Sequence, residues 1–165
     1  MKKLLTLLLV CFLAGCAGNT TKVDTKPDDR YLDMIDLIWA QESYLTKSNY
    51  YDISAEIAKI DNGYRFYVVV DNARIAVYDV EVLVVEEGVD YRKTMAANVG
   101  IFEESEYSMI PNQANTEKGY VSGVAASGVT ADSSSTFYVL VQWKSADRST
   151  TSREYFRFDV SYNGD

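Results

Sequence analysis

Apolar and polar residues alternate along most of this chain. In "YYDISAEIAKI", residues 50–60, Tyr51, Ile53, Ala55 and Ile57 alternate with Asp52, Ser54 and Glu56. A period of two puts successive side chains on opposite faces, so the segment predicts a strand with one wet face. "DNG" at 61–63 predicts a tight turn, because Asn and Gly tolerate positive φ. "YRFYVVVDN" predicts the returning strand, making 50–71 a hairpin. "ARIAVYDVEVLVVEEG" predicts a third strand, with Ile75 and Val77 and then Val80, Val82 and Val84 in alternation. The phase slips near Tyr78-Asp79, which predicts a bulge or bend. The clearest hairpin closes the chain. Phe137, Val139, Val141 and Trp143 alternate with Tyr138, Leu140 and Gln142. "SADRST" turns, and Glu154, Phe156, Phe158 and Val160 then alternate with Tyr155, Arg157 and Asp159.

Weaker strands are expected around Tyr91 to Ala97 and Val99 to Phe102, and a small-residue strand in "YVSGVAASGV" at 120–129. Pro111 opens a polar loop between them. Residues 30–47, "RYLDMIDLIWAQESYLTK", follow a different period. Tyr31, Met34, Ile35, Ile38 and Leu45 fall on one side of a helical wheel, with Leu32 and Trp39 at its edge and Asp33, Asp36 and Lys47 opposite. The segment predicts a helix with Asp28 or Asp29 capping its start, against a competing strand around Leu37 to Leu45. About seven or eight short strands, bounded by turn residues and not separated by helices, predict a mainly β fold. The expected architecture is a two-sheet antiparallel immunoglobulin-like sandwich with one N-terminal helix.

The first residues have neither period. Met1-Lys2-Lys3 precedes an apolar run from Leu4 to Ala14, broken only by Thr6. A bilayer-spanning helix needs about 20 apolar residues, so this shorter run with a charged start reads as a secretory signal. It closes with Leu13-Ala14-Gly15-Cys16. That tetrapeptide resembles the lipobox of bacterial lipoproteins: a branched aliphatic, two small residues, then cysteine. The resemblance implies cleavage between Gly15 and Cys16 and a diacylglycerol on the Cys16 sulfur. It also implies membrane attachment through that N-terminal lipid, where several acyl chains hold better than one. Ala17 follows, where an inner-membrane retention signal typically has Asp. The implied location is the cell envelope: the outer membrane of a two-membrane bacterium, or otherwise the outer face of the cell membrane. Residues 1–15 are the expected signal peptide, 16–29 the lipidated N-terminus and flexible tether, and 30–165 the sandwich domain.

Composition narrows the chemistry. Without Lys2 and Lys3 the chain carries 14 basic residues against 24 acidic ones, a net charge of −10. Such a surface repels nucleic acid. The only two cysteines are Cys11, in the expected signal, and Cys16, and there is no histidine. These absences exclude Ser-His-Asp and Cys-His catalysis, CxxC redox chemistry and zinc sites built on Cys or His. Carboxylates are the remaining acid-base groups, densest at Glu86-Glu87 and Glu103-Glu104-Glu106. No pattern pairs them across a cleft, as glycoside hydrolysis would require. "DNG" at 61 and "DN" at 71 lack the spacing of a calcium loop. No catalytic residue, metal site or cofactor is therefore expected.

Aromatic residues are in surplus, with 13 tyrosines and two tryptophans. The alternation puts Tyr138, Tyr155 and Tyr67 on outward faces. A large apolar body with a polar tip suits protein interfaces and sugar stacking. These three tyrosines are the candidate interaction surface. Two functions follow as expectations: a non-catalytic scaffolding module for another envelope protein, or a carbohydrate- or peptidoglycan-binding module. The second requires coplanar exposed rings. A carboxylate enzyme, which requires two convergent acids in a pocket, ranks behind both. Many small bacterial lipoproteins carry such a sandwich, and this chain resembles them in architecture.

Overall fold

The computed structural model describes residues 27–164. The lipobox-like tetrapeptide at 13–16 and most of the expected tether lie outside them. The described chain begins with helix α1 (Pro27–Trp39) and continues through seven strands. These are β1 (Asp52–Ile60), β2 (Gly63–Asp71), β3 (Tyr78–Glu86), β4 (Ala97–Val99), β5 (Gly123–Thr130), β6 (Ser134–Lys144) and β7 (Thr151–Ser161). One sheet has the order β1-β2-β5, the other β4-β3-β6-β7, and every pairing is antiparallel. This is an immunoglobulin-like sandwich with one helix, as the alternation indicates.

The two sheets enclose the larger core. Phe66, Val68 and Val70 from one sheet meet Val82, Val84, Phe137, Val139, Val141 and Phe156 from the other. Phe66 and Phe137 lie 4.4 Å apart between ring centroids. Gly128 faces Phe66 across the β2–β5 pairing, and a Cβ there would sit 2.5 Å from the ring. The expected phase slip is a register shift between Tyr78 and Glu81, with Asp79 at φ 48°.

A second core lies outside the sandwich. Tyr31, Met34, Ile35 and Ile38 of α1 pack on Leu83, Val85 and Leu140, the outward residues of β3 and β6. Strand β3 is therefore buried on both faces from Val80 to Glu86.

Several elements differ from their sequence patterns. The helix starts three residues before the expected position and stops at Trp39 rather than Lys47. Proline suits a first helical turn because its missing N–H has no partner there, so Pro27 opens the helix. Asp28 and Asp29 then lie within the first turn, favoured by the helix dipole, rather than before it. At the other end Gln41 Nε2 donates to the Leu37 carbonyl at 2.9 Å, and the Tyr44 hydroxyl donates to the Ile38 carbonyl at 2.8 Å. These side chains satisfy last-turn carbonyls. Leu45 therefore leaves the helix and forms a parallel bridge with Phe156 along the edge of β7. Ile75 is exposed and precedes β3, which begins at Tyr78. The expected strand at 91–97 is mostly a turn that wraps α1, because the Tyr91 carbonyl and the Ala96 N–H bond the Tyr31 hydroxyl, at 3.2 and 2.9 Å. Only Ala97–Val99 pairs as a strand, so the pattern at 99–102 is overturned beyond Val99.

Candidate functional site

The outer face of the four-stranded sheet is ordered in cross-strand rows. Strand register places Glu81, Gln142 and Arg153 side by side. The next row is Leu83, Leu140 and Tyr155, followed by Val85, Tyr138 and Arg157. Helix α1 covers the apolar middle and leaves a polar cleft at one end and an aromatic patch at the other.

The patch forms around Tyr138. Its ring lies 5.0 Å from Trp39 and 4.9 Å from Tyr44, at interplanar angles of 64° and 56°. The Tyr138 hydroxyl donates to Glu87 Oε1 at 3.0 Å, and the Arg157 guanidinium stands 6.0 Å from the ring centroid. Desolvation and the Glu87 carboxylate push the Tyr138 hydroxyl above its ordinary pKa. The chain after the helix runs along the edge of β7, where the Leu45 N–H donates to the Tyr155 carbonyl at 2.8 Å. Trp39 and Leu45 keep 45% and 44% of their surface exposed. The fold thus brings Tyr138 and Tyr155 to one face, and adds Trp39 and Tyr44 to them.

Tyr67 is elsewhere. It lies on β2, pairs with Glu56 and Ser127, and points away from the core on the opposite outer face. It cannot join Tyr138 and Tyr155 in one surface.

The cleft is bounded by α1 and by the ends of β3, β6 and β7. Arg30 pairs with Glu81 at 2.8 Å, and Gln142 Nε2 donates to the other Glu81 oxygen. Arg153 Nε donates to Gln142 Oε1 at 2.9 Å. Asp79 pairs with Lys144 at 3.1 Å and with Arg148 at 3.2 Å. Arg148 also stacks over Tyr78, 4.3 Å from its centroid. Burial raises the Glu81 pKa, while Arg30, Gln142 and Lys144 oppose the rise. Both Glu81 oxygens are engaged, which makes this carboxyl an internal acceptor in the network.

The acidic clusters do not converge. Glu86 points into the sandwich and accepts from Thr130 Oγ1 at 2.7 Å and from Ser135 Oγ at 2.5 Å. Glu87 serves Tyr138, while Glu103, Glu104 and Glu106 are exposed on a loop. "DNG" is the β1–β2 turn, and Asn72 Nδ2 donates to Asp52 at 3.1 Å. Among the described residues no group of three or more Asp, Glu, Cys or His side chains is arranged to hold a metal. No described helix is long and apolar enough to cross a membrane.

The fold and this face define a helix-capped immunoglobulin-like sandwich with an aromatic patch and a polar cleft. Scans against protein families, curated proteins and solved structures give no match.

Proposed function

We propose that this is a lipid-anchored cell-envelope protein whose sandwich is a non-catalytic interaction module for another envelope protein. Cys16 carries the lipid, and the following residues tether the domain to the membrane. The observation that carries the interaction role is the patch of Trp39, Tyr44, Tyr138 and Tyr155. Stiff aromatic residues bury much area at little entropic cost and are enriched at protein interfaces. The inclined rings favour this reading over carbohydrate binding, because angles of 64° and 56° do not make a flat stacking platform.

Two experiments test the parts separately. Cys16→Ser should release the protein from the membrane fraction while leaving thermal unfolding of the domain unchanged. Unchanged pelleting would overturn the anchor. For the patch, a photocrosslinking residue in place of Tyr44 in intact cells should capture one abundant envelope protein, and Trp39→Ala should remove that product. Capture of glycan strands alone would reverse the preference between the two binding functions.

A further inference from the structure

The polar cleft beside α1 is separate from the aromatic patch, and its chemistry calls for a different ligand. We propose that it binds a zwitterion, a small molecule carrying both an ammonium and a carboxylate, as in a free amino acid or the unblocked ends of a short peptide. The cleft volume is about 460 Å³, within the range of small-molecule sites.

The argument rests on charges that the network leaves unmatched. Asp33 lines the helical wall and Arg153 the strand wall. Neither has an ion-pair partner among the described residues, although both border the same cleft. Arg153 uses only its Nε, on Gln142, so the outer edge of its guanidinium remains available. Two further wall atoms are buried without partners: Arg30 Nε, a donor, and Asp79 Oδ1, an acceptor. Buried polar atoms are nearly always paired, so an orphan donor on the helical wall and an orphan acceptor on the strand wall point to missing polar partners.

The scaffold keeps these charges apart. Asp79 has only 9% of its side chain exposed and is held by Lys144 and Arg148. Its φ of 48° is uncommon for a residue with a side chain, and such outliers concentrate at functional sites. Arg30 is tied to Glu81, and Glu81 to Gln142. A purely anionic ligand would meet Asp33, and a purely cationic one Arg153. A zwitterion matches both walls, with its carboxylate on Arg153 and its ammonium on Asp33. This inference does not depend on the lipid anchor or on the patch.

The test is titration of the full-length protein in detergent micelles, followed by NMR, with L-alanine and trialanine as probes. N-acetyl-trialanine lacks the ammonium and trialanine amide lacks the carboxylate. At least one unblocked probe should bind saturably. Saturation by alanine identifies an amino-acid site, and by trialanine alone a peptide-end site. Each blocked form of the bound probe should bind at least about tenfold more weakly. Asp33→Asn should abolish discrimination against the acetylated form, and Arg153→Gln discrimination against the amide. Both side chains are exposed, so thermal unfolding should be unchanged. No saturable binding of either unblocked probe, or equal binding of the blocked forms, would overturn the proposal.

Discussion

On the outer face of the three-stranded sheet, Ser54, Val69 and Ala125 form one cross-strand row, and Glu56, Tyr67 and Ser127 the next. All six keep some exposure. On the outer face of the four-stranded sheet, Leu83 and Leu140 sit side by side at zero exposure. The bare face has small and polar residues because water is its neighbour. The covered face is apolar in the middle because α1 is its neighbour, and it becomes polar or aromatic where the helix runs out. The cleft and the patch are the two margins of that cover. A sheet with one wet face offers rows of side chains, whereas a helix laid across it adds walls, and walls make concave sites.

The largest effect that would break this comparison comes from truncating each face. Ile38→Ala empties a fully buried position under the helix, and should cost about 2–5 kcal/mol in denaturant unfolding. Val129→Ala, on the bare face and 58% exposed, should stay within about 0.5 kcal/mol. Similar costs at the two positions would mean that the helix is not part of the domain's stable core.

The helix face was legible because Tyr31, Met34, Ile35 and Ile38 repeat at a helical period and are buried together. The inner faces of β6 and β7 were legible for the same reason at a period of two. The place of the helix was harder to read. The run Val82-Leu83-Val84-Val85 contains the clue, since a strand buried on both faces needs no polar alternation. Read as alternation, the run shows one buried face and hides the second. The patch was legible in half: Tyr138 and Tyr155 each fall on the outward phase of their strands, but Tyr44 reaches them only because the chain leaves the helix early. The cleft had weaker signals. Arg30, Asp79, Glu81, Gln142 and Arg153 come from four separate elements, and only the phase slip at Asp79 marked the place in advance.

A smaller effect sharpens the view of the cleft as a buried ionic wall. Burial places the folded-state pKa of Glu81 above its ordinary value of 4.5. The folded protein therefore holds this proton after the unfolded chain has released it. The associated stability is complete below pH 4.5 and is lost as pH rises through the folded-state value. Glu81→Gln stays neutral throughout. Its melting temperature relative to the wild type should therefore be lowest at pH 4 and rise towards pH 7. A difference that stays flat, or runs the other way, would mean that Arg30 and Gln142 fully offset the burial.

The smallest effect belongs to the opposite flank of the helix, where Asp36 pairs with Arg92 on the loop after β3. The two side chains are 59% and 56% exposed, so water and salt screen them and two long side chains must be held in one geometry. A double-mutant cycle with Asp36→Ala and Arg92→Ala should give a coupling of about 0.2–1 kcal/mol at low salt, vanishing as salt is raised. The loop carrying Arg92 is fixed to α1 mainly through buried Tyr31 and Tyr91, so losing the surface pair should leave it docked. A coupling above that range, or one indifferent to salt, would show that this flank is closed to water like the Glu81 side and that the two margins of the helix are alike.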